Sequence, residues 1–158
     1  MRSEVTLKIN SKQYSENLIP KGDSFERNLE LEDSVEIITE GILYFKPNAV
    51  YLVYNESEEM GMSNAKVMMK VKADEIQITR YGKNSTTDMD MKLEPGVAQI
   101  VRYKLPMLPA MELEIYTNKY ENGLNDKGEG RLMVDYRLTM EESFSRRNIL
   151  DVEVIPAN

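Results

Sequence analysis

The feature that most constrains this sequence is the alternation of apolar and polar residues at period two along nearly its whole length, with little of the spacing of an amphipathic helix. Successive side chains of an extended strand point to opposite sides, so each alternating run writes one apolar face. Val5, Leu7 and Ile9 form one such face, Leu29, Leu31, Val35, Ile37 and Thr39 a second, and Val50, Leu52 and Tyr54 a third. Val67, Met69 and Val71 follow, then Ile76 and Ile78, then Met89, Met91 and Leu93. The last four runs are Val97, Gln99, Val101 and Tyr103; Met111, Leu113, Ile115 and Thr117; Leu132, Val134, Tyr136 and Leu138; and Leu150, Val152 and Val154. The pattern predicts about ten strands.

Turn residues separate them: Pro20-Lys-Gly22-Asp, Pro47-Asn48, Glu94-Pro95-Gly96, Asn122-Gly123 and Asp126-Lys127-Gly128 favour tight reversals. Two connections read as longer, the polar stretch 15–26 and the acidic stretch 56–64. The chain of 158 residues shows no long repeat and no composition shift, so residues 1–158 are expected to form a single domain, with 15–26 an elaborated first hairpin loop. Short antiparallel strands in this number suit an all-β, up-and-down antiparallel β-barrel, whose closure removes sheet edges. A two-sheet β-sandwich is the alternative that periodicity does not separate.

Composition removes whole classes of chemistry. With no Cys and no His the chain offers no thiolate or imidazole, which excludes zinc sites built on them, Ser-His-Asp and Cys-His catalysis, and disulfides. No cofactor and no metal site is expected: Glu56-Ser-Glu58-Glu59 lacks the ordered oxygens of a calcium loop, and no phosphate-binding glycine loop occurs. Twenty basic residues against twenty-seven acidic ones give a net charge of -7, a field that repels nucleic acid and anionic membrane. The opening Met1–Asn10 alternates instead of forming an apolar run, so the expected location is cytoplasmic.

Polar residues on apolar faces are the informative positions, because burying them without partners is costly. Arg80 shares the register of Ile76 and Ile78 and is expected to point inward, where a guanidinium requires a carboxylate or several acceptors. Glu40, after Ile38, and Glu56, after Leu52 and Tyr54, are the two candidates. Tyr54, Tyr103, Thr117 and Tyr136 put polar tips on inward faces, and Gln99 joins Tyr103. The eleven methionines fall mostly in strands, as gap-fillers of a core. Met60, Met62 and Met107, the last beside Leu108, fall in predicted loops and form a candidate partner-facing rim.

Several of these residues occur in a recognisable order. Ile38-Thr-Glu-Gly41, Tyr44, Val50-Tyr-Leu-Val-Tyr54-Asn-Glu56 and Met60-Gly61 are followed by Ile76-Gln-Ile-Thr-Arg80-Tyr-Gly82, Met91, Tyr103-Lys-Leu-Pro106, Ile115-Tyr-Thr117 and Val134-Asp-Tyr136. Over roughly Val35 to Val154 this resembles the YwiB-like family of small uncharacterised bacterial proteins. The resemblance implies a lipocalin-like, calycin-type antiparallel β-barrel and no established activity. Two departures stand out: Met107-Leu108-Pro109-Ala110 where the family usually has an aromatic and a glycine, and the long first hairpin.

Three functional classes follow. The first is a barrel holding a small anionic or amphipathic ligand, anchored by Arg80, oriented by Glu40 and Glu56 and lined by Tyr54, Tyr103 and Tyr136. The second is a filled barrel acting as a protein-interaction or structural module, as monomer or homodimer. The third, an enzyme using Glu40 or Glu56 as acid or base, lacks a base in an evident cleft.

Overall fold

The computed structural model describes residues 2–56, 65–82, 87–103, 111–140 and 144–157. Their regular elements are strands: β1 (Arg2–Lys21), β2 (Ser24–Lys46), β3 (Ala49–Asn55), β4 (Lys66–Val71), β5 (Ile76–Tyr81), β6 (Thr87–Leu93), β7 (Ala98–Tyr103), β8 (Met111–Leu124), β9 (Gly130–Met140) and β10 (Phe144–Pro156). All belong to one antiparallel sheet in the order β6-β5-β4-β3-β2-β1-β10-β9-β8-β7, which replaces the two-sheet alternative. The first and last strands pair, Val5 opposite Pro156 through Ser15 opposite Arg146, so the seam of the barrel falls between β6 and β7 in mid-chain.

Individual hydrogen bonds draw that seam together. The Lys92 amide donates to Gln99 Oε1 at 2.7 Å, and the Gly96 amide donates to the Thr117 carbonyl at 2.9 Å. Further along β8, the Tyr120 hydroxyl and Asn122 Nδ2 both donate to the Lys72 carbonyl, at 2.7 and 3.2 Å, tying β8 to the turn between β4 and β5. The result is a ten-stranded antiparallel barrel, nearly closed. Gln99, expected in the inner polar group with Tyr103, is spent on the seam.

The alternating runs fill the interior. Leu7, Leu43, Leu52, Met69, Ile76, Leu93, Ile115, Leu132, Val134 and Val152 are essentially inaccessible, and each such side chain stabilises the fold by about 1.5–3 kcal/mol relative to exposure. Gly41 belongs to the same layer: a Cβ there would lie 2.8 Å from Leu7 Cδ1, so the missing side chain is the space that Leu7 occupies. At the end where β2–β3, β4–β5, β6–β7 and β8–β9 turn, the 125–129 turn folds against Leu43 and Phe45. Gly128 makes this possible with φ +76, and a Cβ there would lie 2.6 Å from Leu43 Cδ2.

Four expectations fail for identifiable reasons. Leu29 and Leu31 do not join Ile37 on an inner face; they are 42% and 54% exposed, while Val35, which keeps the register of Ile37, is 38% exposed. Leu31 pairs with Tyr14 and Asp33 with the adjacent Gln13, so Glu32 is an extra residue that reverses the phase of everything before it. The stretch 15–26 is not a loop: β1 runs to Lys21 and β2 starts at Ser24, and the polar composition reflects a two-stranded arm whose residues 19–26 are exposed. Asn122-Gly123 is not a turn either, since Asn122 pairs with Leu132 inside β8 and the reversal waits for residues 125–129. Val97 likewise stands in the β6–β7 turn, 44% exposed.

Candidate functional site

The polar residues of the interior fall into two rows. Paired strand residues carry their side chains on the same face, so Thr117 on β8, Tyr136 on β9, Asn148 on β10 and Gln13 on β1, each opposite the next, form one transverse row. Tyr54 on β3, Val67 on β4, Arg80 on β5 and Met89 on β6 form the other. The rows approach each other electrostatically. Burial pushes the Tyr54 hydroxyl well above the ordinary range, helped by Glu56 and Tyr136 and opposed by Arg80. Burial alone pushes Tyr136 up to about 12.

Arg80 points inward as its register predicts, and its carboxylate is Glu56, with Nε 3.3 Å from Oε2. Both side chains keep slight solvent contact, 19% and 17%. Glu40 is not a partner. Ile37 packs against the core, which turns Ile38 (64% exposed) and Glu40 to the solvent side of β2. The interior therefore holds Glu56 of that pair and not Glu40.

Thr117 is wholly buried, and its Oγ1 has no hydrogen-bond partner among the described residues. Asn148, 7% exposed, lies in the same row, and its Nδ2 has no hydrogen-bond partner among the described residues. Asn148 escaped the sequence reading, which started its strand at Leu150, although the alternation Asn148, Leu150, Val152, Val154 carries the signal. The Tyr103 backbone closes β7 opposite Met111; its side chain, Met60, Met62, Met107 and Leu108 lie outside the described residues.

A second polar group sits on the outer face of the barrel. Asp135, 5% exposed, accepts from Arg147 through both oxygens, Nε lying 2.9 Å from Oδ1, and from Asn118 Nδ2 at 3.3 Å. Burial raises the Asp135 carboxyl, but Arg147 and Asn118 outweigh it and hold the group below its usual range. Beside it Arg137 Nε stands 2.9 Å from Glu16 Oε2, fastening the base of the arm to β9. These ions neutralise one another across strands that sequence alone does not bring together. Among the described residues no group of acidic side chains is gathered to hold a metal ion, and no helix is long and apolar enough to cross a membrane.

Comparison with known proteins agrees with this architecture. A family model described as a domain of unknown function (DUF1934) matches residues 21–152. The uncharacterised β-barrel protein YwiB of Bacillus subtilis (strain 168) is 30% identical over 105 residues, 66% of this chain and 69% of YwiB. The crystal structure of the ywiB protein from Bacillus subtilis matches with a TM-score of 0.61 at 21% identity, covering 98% of this chain and 94% of that one, a likeness of fold. The ten-stranded barrel described above thus belongs to the DUF1934 family, a domain of unknown function, and is homologous to the uncharacterised β-barrel protein YwiB.

Proposed function

We propose that the barrel binds a small amphipathic molecule inside, in the manner of lipocalin-type barrels, its polar end on the row of Thr117, Tyr136 and Asn148 and its body against Tyr54. The observation that carries this reading is the pair of buried atoms in that row without a hydrogen-bond partner among the described residues, Thr117 Oγ1 and Asn148 Nδ2. An unsatisfied buried polar group costs about 1–3 kcal/mol, and native interiors satisfy nearly all of theirs with protein, water or ligand. Two such atoms on one face, flanking a tyrosine, are a recognition surface in need of a complement. A hydroxyl and an amide favour a ligand head that both donates and accepts. Glu56 already neutralises Arg80, so a neutral head is preferred over an anionic one, which would compete with that carboxylate. The setting we propose is the cytoplasm, for a chain that needs no disulfides.

Amide and side-chain NMR of the intact protein against a panel of neutral amphiphiles and matched carboxylates tests the reading. Saturable shifts at Asn148 and Tyr136, absent in Asn148→Leu, are expected with the neutral members. Shifts scattered over the outer strands, or none, would replace it with the filled barrel. That second reading draws support from the apolar floor around Leu43, Leu52 and Leu132 and from the ion pair of Arg80 with Glu56.

A further inference from the structure

We propose that the free edge of β2 between Ser24 and Glu40 takes up an extended, positively charged segment of another protein as an added strand. β2 is 23 residues long, and β1 pairs one of its edges from end to end, Arg2 opposite Tyr44 through Lys21 opposite Ser24. Its other edge meets β3 only between Gly41 and Lys46. Among the described residues the remainder of that edge has no strand partner, and such an edge offers a row of backbone donors and acceptors to an incoming chain.

The side chains along this edge define the chemistry of the occupant. Phe25 is 69% exposed, Leu29 42%, Leu31 54% and Ile38 64%, an apolar density unusual for a surface strand. Between them stand Glu26, Glu30, Glu32, Asp33, Glu36 and Glu40, against the single base Arg27. Lys21 and Arg146 engage two of these acids, Glu26 at 3.5 Å and Glu32 at 3.3 Å, and among the described residues Glu30, Glu36 and Glu40 have no ion partner and remain to face an incoming one. Like charges placed opposite each other on paired strands are destabilising. A second copy of this acidic chain, with net charge -7, is therefore a poor occupant, and a segment alternating Lys or Arg with apolar residues is a good one. Where β3 parts from β2, a concavity of about 470 Å³ bordered by Glu40, Glu4 and Lys66 marks the place where the added strand would end.

The test uses the intact chain with a labelled decapeptide alternating lysine and valine, and a glutamate–valine counterpart. Anisotropy should report binding of the lysine peptide alone, weakening with salt, and hydrogen exchange should show new protection confined to amides of Ser24–Glu40. Glu30→Lys combined with Glu36→Lys should weaken binding by about tenfold or more, while an unchanged circular dichroism spectrum and melting midpoint show the fold intact. The proposal fails if both peptides bind alike, if neither binds, or if protection falls elsewhere. It fails equally if the Ser24–Glu40 amides that do not donate to β1 already exchange in the free protein as slowly as those of β10, or if the edge is protected by concentration-dependent self-association.

Discussion

Replacing Thr117 by valine should stabilise the empty barrel. The side chain is wholly buried and its hydroxyl has no partner among the described residues; the unmet desolvation of such a group is worth about 1–3 kcal/mol. Valine keeps the branched shape that suits a strand and puts a methyl group where the hydroxyl stood. The net expectation is a gain of about 1–2 kcal/mol. For a chain of this length that corresponds to roughly 2–8 °C in melting midpoint, at about 2–4 °C per kcal/mol. Urea titration of protein refolded from denaturant, and so stripped of any bound molecule, measures the gain as a shift in midpoint at constant slope. Thr117→Ser, which keeps the hydroxyl and removes the methyl, should lose about 1 kcal/mol in the same assay. The reasoning is refuted if Thr117→Val loses 1 kcal/mol or more, because the hydroxyl would then be bonded in the empty protein and the row would be a closed internal network.

Arg80→Met should cost roughly 2–4 kcal/mol, somewhat less than the 3–5 kcal/mol of a fully dry pair because solvent still reaches both side chains; adding Glu56→Gln should restore part of the loss, and a double-mutant cycle without coupling would show the pair to be idle. The raised hydroxyl of Tyr136 sets an alkaline limit: the unfolded chain loses that proton near pH 10 and the folded chain near 12, so stability is full below pH 10 and falls by roughly 2–3 kcal/mol as pH rises through that window. Tyr54 acts in the same sense, and Tyr136→Phe should flatten the dependence of urea midpoint on pH. At the acid end the sign reverses: Asp135, held low by Arg147 and Asn118, contributes stability above its ordinary pKa that is lost as pH falls through the lowered one, and Asp135→Asn should remove that acid slope. Gly128→Ala should cost about 2–4 kcal/mol, from the positive φ together with the approach to Leu43; an unchanged melting midpoint would show that the turn relaxes freely.

Most of the barrel was legible because its runs alternate without interruption. Val67, Met69 and Val71, or Leu132 and Val134, needed only the two-residue period to declare an inner face, and the structure buries each of them. Arg80 was legible for the same reason, as a charge in the register of Ile76 and Ile78. Alternation fails where one residue is inserted: Glu32 reverses the phase of Leu29 and Leu31, and no local signal distinguishes a bulged glutamate from a solvent-facing one. The choice between Glu40 and Glu56 hinged on which of Ile37 and Ile38 faces the core, a matter of strand register. The outer ions, Asp135 with Arg147 and Glu16 with Arg137, join residues of different strands and become neighbours only after pairing is fixed.

The central claim, an interior row waiting for a ligand, is tested most directly by native mass spectrometry of the protein purified from cells, set against its denatured mass. The account predicts a small discrete mass retained in the native spectrum, lost on denaturation and missing from Asn148→Leu. A native spectrum showing the bare chain, or a clean oligomer of it, from gently prepared material would contradict it.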